Sequence, residues 1–100
     1  MANYFIRIEI YDAGIEQYEG LHESMQQLNM HKYIIGSSVL DAKALPDGCY
    51  FGDSALSTED IRNTVVTISR VFSSKEPSVF VAQVSDWAAN LHRLGDPNYQ

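Results

Sequence analysis

Apolar and polar side chains alternate from Tyr4 to Tyr11. Tyr4, Ile6, Ile8 and Ile10 fall on one face, and Phe5, Arg7, Glu9 and Tyr11 on the other. Period two over eight residues predicts a strand at about 3–11, buried on one side only. Asp12-Ala13-Gly14 breaks it, and the period changes. Ile15, Tyr18, Leu21, His22, Met25 and Leu28 recur at three- and four-residue spacing. That stripe predicts a helix over about 15–29 with those side chains inward. Glu16, Glu19 and Glu23 lie off the stripe and favour the early helix through its dipole. Gly20 costs a helix interior about 1 kcal/mol relative to alanine, so something is expected to pack closely there.

Tyr33, Ile34, Ile35, Val39 and Leu40 predict a second strand over about 32–40. Gly36-Ser37-Ser38 interrupts it, as a bulge or bend would. A loop is expected over 41–47, turning at Pro46-Asp47-Gly48. The third strand falls at about 49–55, and Gly52 within it marks a place where another backbone approaches. Ser57 has the chemistry of an N-cap, with Glu59 and Asp60 in the first turn. Ile61, Val65, Ile68 and Phe72 then form a second helical stripe. Ser73-Ser74 ends it and Pro77 blocks a restart. A fourth strand covers about 78–84, with Phe80, Ala82 and Val84 on one face and Val79, Val81 and Gln83 on the other. Ser85-Asp86 predicts a short closing helix over about 87–94, stopped by Gly95 and Pro97. Residues 95–100 are expected to be a loose tail.

The resulting order is β-α-β-β-α-β plus a tail helix. It predicts an α+β, ferredoxin-like fold: a four-stranded antiparallel sheet with both helices on one face. The first and third strands should be central. Ile6, Ile8 and Ile10 should meet the helices, leaving Phe5, Arg7, Glu9 and Tyr11 on the open face. A bare face carrying aromatics calls for a cover: a second subunit, nucleic acid, or the tail helix with Trp87.

At 100 residues and 45% apolar composition, the chain is expected to form a single domain, residues 1–100, with one core. Small domains are marginal alone, so a homodimer is expected. The formal charge of −6, from 13 acids against 7 bases, disfavours tight nonspecific binding to nucleic acid. The single cysteine, Cys49, excludes an intrachain disulfide and a thiolate zinc cluster. A reducing, cytoplasmic setting follows. No signal-peptide pattern and no apolar run of membrane-spanning length occurs, so no membrane partner is expected.

Asp12, where the first strand runs out, is the first chemical candidate. Such an acid can hold Mg²⁺, facing its mate across a dimer. It can equally begin the turn into the helix, a position that aspartate favours anyway. On the open face, Phe5 and Tyr11 could stack bases while Arg7 meets phosphate and Glu9 alternates with them. The glycine-, aromatic- and base-rich signature of RNA-recognition sheets is absent, however, and the third strand places an acid, Asp53, where a phosphate reader would want a base. A sheet-to-sheet dimer competes for the same face and fits it better. His22, His31 and His92 lack metal-ligand spacing. His22 is expected to be packed and hydrogen-bonded, and His31 and His92 solvated. Cys49 is expected in the core, and Arg62, Arg70 and Lys75 on a solvated face. No phosphate loop, Ser/His/Asp set or nucleophile elbow is present.

Three places then carry a resemblance. They are Tyr11-Asp12 with Tyr18; Ser24-Met25 leading to Leu28-Asn29-Met30-His31; and Leu56-Ser57 through Glu59-Asp60-Ile61. With the Ser85-Asp86 cap, roughly residues 4–91 resemble the GhoS-type antitoxins, endoribonuclease partners of membrane-lytic toxins in type V toxin–antitoxin systems. That family is similar in fold to the ferredoxin-like CRISPR adaptation nucleases, whose acid at the end of the first strand corresponds to Asp12. The resemblance implies phosphodiester chemistry on RNA or DNA, with Asp12 catalytic or metal-holding and Arg7 at phosphate. The leading expectation is therefore an antitoxin-type endoribonuclease that cleaves or binds a toxin mRNA. Two alternatives stand beside it. One is a small acidic inhibitor of a nucleic-acid-binding protein, of phage anti-defence type. The other is a dimeric small-molecule-binding domain with its pocket between sheet and helices.

Overall fold

The structure is a computed structural model, described for residues 1–34 and 42–92. The elements are β1 (Ala2–Glu9), α1 (Ile15–Gln27), β2 (Met30–His31), β3 (Tyr33–Ile34), β4 (Lys43–Ala44), β5 (Cys49–Ser54), α2 (Thr58–Arg70) and β6 (Ser78–Val84). Strands β2, β5, β1 and β6 form a four-stranded antiparallel sheet in that order. The arrangement is α+β and ferredoxin-like, with the first strand and the strand before α2 in the centre.

The pattern of β1 dictates the core. Tyr4, Ile6, Ile8 and Ile10 are all at most 5% exposed. They pack with Leu21 and Met25 of α1, Ile61 and Val65 of α2, and Met30 and Tyr50 of the sheet. Both helices therefore cover the same face. Ser57 caps α2, its hydroxyl accepting from the Asp60 N–H at 3.1 Å. The ring of Phe72 packs against Gly20 where a Cβ would stand, so the glycine lets the two helices approach. Among the described residues no helix is long and apolar enough to cross a membrane.

Three expectations need correction. Ile15, placed on the inward stripe, is 78% exposed. It is the first residue of α1, and the stripe closes over the sheet only from Tyr18 onward. The second sheet strand comes earlier than 32–40, at Met30–His31. Asn29 adopts a left-handed conformation, φ 61, and turns the chain into the sheet directly from α1. Gly52 permits this, because its missing side chain leaves room for the Asn29 carbonyl. The chain then leaves the sheet, and Tyr33 and Ile34 pair with Ala44 and Lys43 in a separate hairpin. Part of the expected 41–47 loop is thus strand, with Ala42, Ala44 and Leu45 buried. The bulge expected at Gly36-Ser37-Ser38 lies outside the described residues.

The third correction concerns the closing segment. Residues 87–92 are not helical. The His92 carbonyl accepts from the Ala44 N–H at 2.9 Å, so a backbone bond goes to the hairpin rather than along a helix. Residues 93–94 and the expected loose tail lie outside the described residues.

Candidate functional site

The antiparallel register lines up the open face in rows. His31, Phe51, Phe5 and Ala82 lie side by side across the sheet. Phe5 and Phe51 are thus direct cross-strand neighbours on the two central strands. One row along, Arg7 lies between Cys49 and Phe80, and Glu9 lies opposite Ser78. Phe80 is 63% exposed. Trp87 tilts onto Phe51 with ring centroids 5.2 Å apart. The closing segment therefore does cover part of this face with Trp87, though not as a helix. Between it and the sheet runs an apolar groove of about 260 Å³, lined by Phe5, Leu45, Phe51, Trp87 and Leu91 among others.

Arg7 is exposed, and its guanidinium donates to the Asp47 carbonyl at 2.8 Å. It lies 3.7 Å from the Cys49 sulfur. Its charge thus hangs over the turn before β5. Glu9 is exposed. Tyr11 and Asp12 do different work. The Tyr11 N–H donates to the Ser73 hydroxyl at 2.9 Å, and its phenol shares a hydrogen bond with Ser78 at 2.8 Å. The Lys75 ammonium stands 4.5 Å from the Tyr11 ring centroid. Asp12 sits at a left-handed φ of 54 and its carboxylate accepts from the Ser74 hydroxyl. The pair clamps the loop between α2 and β6. Asp12 is in the turn before α1, but Gly14 is the N-cap. Six residues of chain separate Asp12 from Phe5, the first four of them in β1 at about 3.3 Å each. The five candidate residues therefore fall into an aromatic end, a clamped end, and two charges between them. Among the described residues no three His, Cys, Asp or Glu side chains are grouped to hold a metal.

Two histidines frame the rest. His22 is half-buried, with Nδ1 2.5 Å from the Tyr50 hydroxyl. Burial, then the charge of Lys32, lowers its pKa to about 4. Burial pushes the Tyr50 phenol well above its ordinary range. Both groups are therefore neutral, and a single proton holds the Tyr50 phenol and Nδ1 together. This is the packed, hydrogen-bonded histidine expected from its stripe position. Beside it, Gly14, Tyr18, Glu19, Lys32 and Asp47 help line an open cavity of about 700 Å³.

His31, expected in solvent, is half-buried. It stacks on Tyr33 at 5.1 Å, and its Nε2 lies 3.0 Å from the Asn29 side-chain oxygen. Its Nδ1 is buried with no partner. The Asn29 amide donates in turn to the Asp53 carboxylate. Sequence reasoning missed this group because it started the strand too late. With Met30 recognised as core-facing, alternation alone would have put His31 on the open face. In comparison with known proteins, no family model, curated protein or solved structure matches the chain.

Proposed function

We propose that the chain is a cytoplasmic, antitoxin-type domain that takes single-stranded RNA, such as a toxin transcript, across its open sheet face. The observation that carries this reading is the direct opposition of Phe5 and Phe51 on the two central strands, with Trp87 against Phe51. Rings so placed offer successive stacking surfaces to unpaired bases. Arg7, one row along, supplies a cation toward the backbone. The net charge counts less against this than its total suggests. Glu16, Glu19, Glu23, Glu59 and Asp60 are exposed on the helices, which cover the other side of the sheet.

Cleavage is assigned to Asp12 at the far end of β1. RNA laid along the strand from Phe5 would reach it. One carboxylate per chain is a thin cradle for Mg²⁺, which ordinarily takes one or two carboxylates together with substrate phosphates. Asp12 fits that role with RNA phosphates or a second copy completing the shell, so a homodimer belongs to this reading. The same helical acids support a second reading, an inhibitor whose acidic surface mimics phosphates toward a basic protein groove.

The test is incubation with labelled single-stranded RNA, with and without EDTA, beside Asp12→Ala and Phe51→Ala. Loss of a stacking ring costs about 1–3 kcal/mol per base, so Phe51→Ala should weaken RNA binding by roughly five- to 150-fold. Asp12→Ala should abolish cleavage and leave binding. Cleavage that survives both EDTA and Asp12→Ala would remove the site but keep the activity. Absence of RNA binding, with tight binding to a basic protein, would replace the first reading by the second.

A further inference from the structure

The β2 edge of the open face holds a cavity of about 470 Å³. Three of its residues form a polar chain and three carry rings. The Asn29 amide nitrogen donates to the Asp53 carboxylate, while its oxygen takes the Nε2 proton of His31. That proton assignment leaves His31 Nδ1 as an acceptor, buried and unpartnered. Nδ1 is closed to solvent, so an occupant of the cavity meets the Asp53 carboxylate at its polar edge rather than this atom. The rings are Tyr33, stacked on His31, and Phe51 and Trp87, tilted together. The chain is held in this shape by the left-handed Asn29 and by Gly52 beneath its carbonyl.

We propose that this cavity is a subsite for a single unpaired nucleobase, with guanine preferred. The proposal rests on the RNA reading above and adds the base that is selected and the residue that selects it. Flat walls of aromatic side chains accept any base by stacking. Selection must come from the polar edge, and there the acceptor is Asp53. A carboxylate accepts two hydrogen bonds side by side. Guanine presents two adjacent donors on its pairing edge, N1–H and the exocyclic amine. Adenine and cytosine present an amine beside a ring acceptor, and uracil a single N–H between two carbonyls. A carboxylate repels those acceptors. Asn29 positions Asp53, and its own orientation is fixed by His31.

Trp87 is the one tryptophan of the chain, so its emission reports occupancy directly. The full chain is titrated with GMP, AMP, CMP and UMP while tryptophan fluorescence is followed. GMP should quench at a concentration at least tenfold below that needed for UMP. Asp53→Asn, and Asp53→Ser should the first variant misfold, should remove the preference while stacking of all four persists. Phe80→Ala, outside the cavity lining, should leave the titrations unchanged. Equal quenching by the four nucleotides, no quenching, or a preference that survives both Asp53 variants would overturn the proposal. Anisotropy of a labelled RNA oligonucleotide separates the two readings. RNA that binds while Trp87 stays silent sinks the subsite and keeps the RNA reading. Guanine-selective quenching without RNA binding keeps the subsite and sinks the RNA reading.

Discussion

The two faces of β1 have had opposite fates. Side chains at even positions from Tyr4 to Ile10 are sealed under α1 and α2, whereas Arg7 and Glu9 stand exposed and Phe5 is only half-covered. The same seven residues thus supply both the centre of the core and the floor of the candidate site. Burial against two helices needs only apolar side chains at the right spacing. A binding face needs particular chemistry at particular register positions, and that depends on neighbouring strands. Stability should therefore follow the even positions and function the odd ones.

The sharpest way to break this division is Ile6→Ala against Phe5→Ala. Ile6 is fully buried, and truncating such a side chain costs about 2–5 kcal/mol. Urea denaturation should show that loss for Ile6→Ala and a clearly smaller one for Phe5→Ala. Equal losses would mean the open face is packed as tightly as the covered one. Gly52→Ala comes next. Its new methyl would collide with the Asn29 carbonyl, and overpacking of this kind costs about 1–3 kcal/mol. Amide exchange should quicken at Met30 and His31 before it does in β6.

The covered side also has a pH signature. His22 titrates near 4 in the folded chain against an ordinary 6.5. Between those values the unfolded state binds more protons than the native one, so stability falls as pH falls. The contribution is full above 6.5 and fades toward 4. Melting temperature should drop across that window, and His22→Asn should flatten the drop. A profile identical in the variant would contradict the burial of His22. Smallest of all is Asp12→Ala. It removes one exposed hydrogen bond to Ser74, within the roughly 0.5–1.5 kcal/mol of such bonds, so the melting temperature should fall by only a few degrees, at about 4–8 °C per kcal/mol for a chain of this size.

What could be read in advance divides along the same line. The alternation of β1 and the capped stripe of α2 announced the core, because period alone decides which face is buried. Gly20 and Gly52 announced close approaches, and Phe72 and the Asn29 carbonyl are what approaches them. The departures came where tertiary contacts outweigh local signals. Ser85-Asp86 looks like a helix cap, yet Trp87 finds Phe51 and the chain after it meets the hairpin. Tyr33 and Ile34 have strand chemistry, but they follow a strand of two residues rather than belonging to it. His31 was misplaced for that reason, and with it the Asn29–Asp53 pair that no spacing rule would join.

The strand order carries a last consequence, for the act of folding. β1 is centrally placed, yet its neighbours β5 and β6 lie far downstream in the chain. Phe5 must wait for Phe51 on one side and Ala82 on the other. A nascent segment ending before β6 would present a greasy ribbon half-zipped, and such unpaired edges favour clumping. Speed should accordingly be governed by closing the large loop to β6 rather than by coiling either helix.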